Sequence, residues 1–265
     1  DFNVAVGISA LQSNTTADGN SAFGREALFS NTTGANNVAV GNGALYTNTT
    51  ADNNTAVGSN ALLLNTTGTQ NVAVGHDALE ASTTANNNTA IGFEAMKANT
   101  TGSFNTASGL VSLASNTTGS ENTAYGYRSL TSNTTASNNT AVGAGCLDLC
   151  TTGTSNTAVG ANALDAVTTA NNNTAVGKDA LTANTNQGNT AVGMSALEAN
   201  TTGEQNTAVG MQSMDTCTTG IFNTAVGNLA LNSLTTGNQN SAIGRDAGGS
   251  VTTGSNNTFL GPDAG

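Results

Sequence analysis

The sequence predicts an all-β fold, a parallel β-solenoid of sixteen stacked coils of about 17 residues, and three observations predict it. A motif of the form Asn54-Thr55-Ala56-Val57-Gly58 recurs sixteen times. Its closing glycines, from Gly7 through Gly58, Gly75 and Gly92 to Gly261, fall every 17 residues, apart from one 16-residue step between Gly177 and Gly193. The apolar positions keep strict phase with that period, so each repeat carries an apolar face that it must bury by stacking on its neighbours. No break in composition divides residues 1–265, and the chain reads as one repeat domain.

The first element of each coil is a strand. Counting from the motif glycine, the residue four before it is Asn in every copy, from Asn3 to Asn257. The residue three before is Thr, Val or Ser; two before is Ala, with Phe259 the exception; one before is mostly Val. A short β-branched run bounded by Asn and Gly predicts a strand of four or five residues. The pleat sends Thr55 and Val57 to one face and Ala56 to the other. Neither face is charged, which is the pattern of a strand covered on both sides. The coil interior covers one face. Another chain is the expected cover for the other, which predicts a homo-oligomer; a second strand of the same coil is the alternative.

The second element is a small residue followed by a large one, as in Ala61-Leu62 and Ala95-Met96, three and four residues after the glycine. The large residue becomes Gly248 and Gly265 in the last two coils. Elsewhere it is Leu or Met, the expected core plug. Too few residues separate it from the next turn for a helix. The third element, Asn31-Thr32-Thr33-Gly34 and its equivalents, has turn chemistry. Repeated on every coil, asparagine side chains can stack in hydrogen-bonded ladders. We expect a structural ladder through Asn54, Asn71 and Asn88, beside Gly58, Gly75 and Gly92. Asn-Thr-Thr also reads as a glycosylation acceptor, but its strict repeat phase favours the structural reading. The shorter stretch 184–189 lacks one turn residue and should leave the core register intact.

Composition narrows the functions. The net charge is −11, from 16 acids against five bases, with no basic run. That argues against nucleic acid and against an anionic membrane surface. No apolar stretch approaches the ~20 residues of a membrane span, so no membrane insertion of this segment is expected. Charged residues at 8% and 32 glycines would fit disorder, were the apolar positions not phased. Three cysteines define no disulfide framework. Cys150 and Cys217 occupy a phase held elsewhere by Val167 and Leu234, so they and Cys146 read as small buried hydrophobes, with a Cys146–Cys150 bridge the alternative.

No catalytic constellation emerges, and the chain is expected to be no enzyme and to need no cofactor or metal. The single histidine, His76, and Asp77 sit at two variable positions read as solvent-facing. Acids such as Glu26, Glu94, Asp179 and Asp246 share the phase of Asp77 and form a sparse stripe rather than a hydrolytic pair. The calcium-binding nonapeptide pattern is absent. The informative irregularity is Phe93, Leu110 and Tyr127, one residue after the motif glycine in successive coils, with Val111 and Tyr125 close by. Equal phases in adjacent coils lie about 4.8 Å apart, so the three form a candidate binding strip for a sugar or a protein. Phe104 and Phe222 share another phase as a weaker pair.

The repeats resemble the head repeats of trimeric autotransporter adhesins of the YadA type, whose motif is close to Asn-Ser-x-Ala-Ile-Gly; Asn240-Ser241-Ala242-Ile243-Gly244 is the nearest copy. The final coil, from Thr252 to Gly261, also looks like repeats of phage tail fibres. The resemblance implies a left-handed parallel β-roll, a homotrimer and an extracellular place on a cell or virion surface, used for attachment to a host glycan or protein. The coil here is longer than in the adhesin pattern, and no heptad stalk accompanies it. The expected function is therefore a rigid, non-enzymatic fibre or adhesin segment. The rivals are an ice-binding protein using Thr-Thr ladders, a subunit of a self-assembling extracellular filament and, more distantly, a glycan-degrading tailspike.

Overall fold

The computed structural model describes residues 2–265, which hold sixteen strands and no helix. The chain is an all-β solenoid of parallel strands, one per repeat. Its contacts gather into two compact units, one through Ser137 and one from Asn138.

In the first unit, β4 (Thr55–Val57), β5 (Val72–Val74), β6 (Thr89–Ile91), β7 (Thr106–Ser108) and β8 (Thr123–Tyr125) follow three strands of the same kind. Pairing is one repeat out, with Ala56 opposite Ala73 and Val57 opposite Val74. The strands are three residues long, shorter than the four or five expected. The flanking residues have other duties: the Asn54 N–H donates to the Asn37 side-chain Oδ1 at 2.9 Å, and Gly58 turns the chain with φ +139°. A Cβ at Gly58 would stand 2.3 Å from the Gly75 carbonyl oxygen. The motif glycine therefore answers both to a backbone angle closed to L side chains and to contact with the next coil.

The alanine column faces inward, with Ala56, Ala73 and Ala90 fully buried. Opposite it stand the core plugs Leu62, Leu79 and Met96, also fully buried. Each plug lies in the left-handed region, Leu62 at φ 52°, as do Asn60 and Gln70 of the same coil. These tight turns wrap the chain around a narrow interior without a second strand, so the alternative of a same-coil cover for the outer face falls away. Backbone bonds between coils continue through the turns, as from Leu62 N–H to the Ala78 carbonyl at 3.0 Å, which satisfies groups that would otherwise be buried unpaired.

The unit holds two asparagine ladders, the second broken at Ser82. In the first, the backbone N–H of Asn71 donates to Asn54 Oδ1 at 2.9 Å, while Asn71 Nδ2 donates to the Ala85 carbonyl at 2.8 Å. Asn88 continues it on Asn71 Oδ1 at 3.0 Å. In the second, Asn48 Nδ2 donates to Asn31 Oδ1, and Asn65 Nδ2 to Asn48 Oδ1, both at 2.9 Å. The triplet asparagine is thus buried inside the coil, the structural role expected of it.

The second unit repeats the plan. Between β11 (Thr174–Val176) and β12 (Thr190–Val192) the short step is absorbed in the turn: Thr174 still pairs with Thr190 and Ala175 with Ala191. Asn184 reaches the Asn186 carbonyl at 2.6 Å and accepts from Asn200 at 2.7 Å, a two-member ladder between Val167 and Cys217. The three cysteines are buried and unbridged. Burial pushes the Cys146 thiol up to about 12 and those of Cys150 and Cys217 to about 11, which leaves them as inert core groups.

Candidate attachment surfaces

Phe93, Leu110 and Tyr127 stand 47%, 47% and 53% exposed on successive coils of the first unit. The structure brings them together by strand register, with the β6 to β7 and β7 to β8 pairings placing equal phases side by side. The strip is one residue longer than expected, because the His76 ring stacks on Phe93 with centroids 5.5 Å apart and planes 15° from parallel. Ile91 and Tyr125, two residues before Phe93 and Tyr127 across the motif glycine, are exposed as well. Phe104 and Phe222 are both exposed and both left-handed, but they lie in different units, and neither has an aromatic companion at its phase in an adjacent coil.

His76 and Asp77 correct the reading of two solvent-facing positions. His76 is half-exposed, but Asp77 is buried in the turn. Lys97 Nζ lies 2.9 Å from Asp77 Oδ2, 2.9 Å from Glu94 Oε1 and 3.5 Å from Glu80 Oε2. Burial pushes the Asp77 carboxyl upward, but hydrogen bonds from Lys97 and Asn60 outweigh it and hold it below the usual carboxylate range. The Lys97 ammonium is raised by its bonds to Asp77 and Glu94. Position two after the glycine is a left-handed turn site; Glu26 pairs with the adjacent Arg25 and Asp179 with the adjacent Lys178, while Asn60 and Asn162 reach Asp77 and Asp179 of the next coil. The acids at this phase are thus mostly neutralised in place. No group of three or more metal-ligating side chains occurs among the described residues.

The outer strand face carries Thr55 and Val57 and their equivalents, all half-buried or exposed and none charged. The Thr-Thr array needed by the ice-binding rival is not two residues wide. In most coils the first threonine of the pair spends its hydroxyl on the next coil, as Thr32 Oγ1 does on the Thr49 carbonyl at 2.9 Å and Thr100 on that of Thr117 at 2.9 Å. The second threonine is exposed in pair after pair, whereas the first is exposed in only some coils, as at Thr15, Thr168 and Thr201.

A further surface escaped sequence reasoning. Five residues after the glycine, Phe29 and Tyr46 stack with centroids 5.0 Å apart and planes 4° from parallel, and Leu63 follows at the same phase. Two aromatics exactly one repeat apart were a visible signal, but both sit where other coils hold Lys97, Ala114 or Asp165, so no conserved chemistry marked the position. No protein-family model matches the chain, and no curated protein matches it either.

Proposed function

We propose that the chain is a non-enzymatic segment of an extracellular fibre or adhesin, a left-handed β-roll that assembles as a homotrimer on a cell or virion surface. One observation supports this above the rest: the outer strand face of each unit is an uncharged stripe, mostly of Val, Ile and Thr, with no cover in the isolated chain. Val40, Ile91, Val192, Val209 and Ile243 are all more than one-third exposed on it. A three-residue strand is roughly 10 Å wide and strands lie about 4.8 Å apart, so each unit offers roughly 400 Å² of flat face. Each unit alone thus supplies about half of the roughly 800 Å² that one partner gives to a standard interface. Assembly through this stripe leaves the strip from His76 to Tyr127 as an attachment surface for a host glycan or protein. Repeated weak contacts on three chains would hold by avidity.

Light scattering on a Val57→Lys, Val74→Lys variant tests the reading. The parent should have the mass of a trimer and the variant that of a folded monomer, because two lysines per chain would be desolvated unpaired. Equal masses for the two would remove the stripe as the interface.

A second reading has a specific observation behind it. Thr174, Thr190 and Thr207 form an outward column on successive strands, in step with Val176, Val192 and Val209. A regular hydroxyl and methyl array of that kind on a monomer fits an ice-binding face. Thermal hysteresis in a monomeric sample would favour this reading over the fibre.

A further inference from the structure

We propose that the cleft beside Gly43 is a carbohydrate-binding site that takes an uncharged pyranose unit of a glycan. Position two after the motif glycine carries a side chain in the coils on either side, Glu26 at φ 58° and Asn60 at φ 57°. Gly43 holds the same backbone conformation, φ 66°, without one. A Cβ there would stand 3.2 Å from Asn60 Oδ1 and 3.3 Å from Leu63 Cδ1, so the missing side chain opens a notch with an amide oxygen on one wall and a leucine methyl on the other.

The notch is part of a cleft of about 340 Å³ bounded by Glu26, Asn42, Tyr46, Asn60, Leu63 and Leu64. That volume is at the small end of the roughly 300–1,000 Å³ of small-molecule sites and suits one or two sugar rings. The Tyr46 ring is steadied by its parallel stack on Phe29 and, with Leu63 and Leu64, supplies an apolar wall. A pyranose presents an apolar C–H face to such a wall and hydroxyls at its edge. The polar rim matches that edge. Asn60 Nδ2 is committed to Asp77 Oδ1 at 3.1 Å, which fixes the amide with Oδ1 toward the notch as an acceptor for a hydroxyl. The exposed Asn42 supplies a donor, and the Glu26 carboxylate a further acceptor.

Charge selects the ligand class. Glu26 is already paired with Arg25 at 3.1 Å, so the cleft holds no uncompensated charge to recruit an ion. A comparison within the chain isolates the cause: Gly145 has the same phase and φ, 65°, but three residues on stands Asp148 in place of an aromatic ring. Only at Gly43 do a missing side chain and a stacked ring coincide. The proposal stands on this cleft alone and is independent of oligomeric state, so a monomeric chain would bind equally.

Saturation-transfer NMR on the whole chain with maltose, lactose and chitobiose is the test. At least one should receive saturation, strongest at its ring C–H protons. A Gly43→Asn variant, which gives coil three the side chain and backbone angle of Asn60, should lose at least ten-fold of that signal with unchanged circular dichroism. Tyr46→Thr, the residue found at Thr131 of the same phase, should do likewise and serves if the first variant misfolds. No transfer to any of the three sugars, transfer to indole in their place, or transfer undiminished in a folded variant would each overturn the proposal.

Discussion

Asn65 and Ser82 mark where a ladder stops. Asn65 Oδ1 would accept from an asparagine at 82, but Ser82 is too short to reach it, and both polar atoms are left buried without a partner. The same happens at Asn200, whose next neighbour in phase is Cys217. Ser82→Asn would join Asn65 to Asn99 through a site that already holds asparagine in other coils. It should stabilise the protein by about 1–2 kcal/mol, the worth of satisfying buried polar groups, read as a higher denaturant midpoint; a lower midpoint would mean that the turn there has no room for the amide. Asp77 gives a pH signature. Its folded pKa lies below its unfolded value, so its contribution is fully present above the unfolded carboxylate value of about 3.9 and is lost as pH falls through the folded value. Lys97→Met should therefore flatten the loss of stability between about pH 5 and pH 2, and an unchanged slope would exclude Lys97 as the cause. At this scale the sequence made the ladder asparagines and motif glycines legible, because only asparagine supplies an amide donor and acceptor at that short reach and only glycine tolerates a carbonyl 2.3 Å from its Cβ position. It left Asp77 and the Gly43 cleft unread, because position two varies in chemistry while its left-handed backbone stays constant.

Among elements, β16 (Thr258–Leu260) shows how the core trades volume. The inward alanine is replaced there by Phe259, and the plug leucines by Gly248 and Gly265. A Cβ at Gly248 would be 2.8 Å from Phe259 Cδ2, and one at Gly265 2.4 Å from Phe259 Cε1, so the ring occupies the space that two leucines give up. Phe259→Ala should cost about 2 kcal/mol, below the 3–5 of a fully buried ring because this one is half-exposed. Adding Gly248→Leu should recover much of that loss, since leucine accepts the left-handed angle at this phase in coil after coil. Additive losses in the double mutant, measured by urea unfolding, would show that the two positions do not share a cavity. The exceptions were visible in sequence as isolated departures from the motif. Their compensation was not, because it needs the inward direction of the alanine column, and a Thr-Ala-Val strand is uncharged on both faces and does not reveal which one is inside.

For the whole molecule the inward direction of the alanine column is decisive. With Ala56 and its equivalents inside, the stripe of Val57, Val74 and Ile91 is left outside, a continuous apolar edge that a lone chain does not cover. The period, the parallel register and the plug ladder followed from the repeat alone. The partner for the outer face is a matter between chains, on which the residues of one chain bear only through the missing cover. Sedimentation equilibrium of the unmodified segment over a range of concentrations is the most direct measurement. Assembly through the outer stripe predicts a β-rich species of three times the 26.0 kDa chain mass that persists on dilution. A stable β-rich monomer at every concentration would contradict it and hand the Thr and Val face to the ice-binding reading.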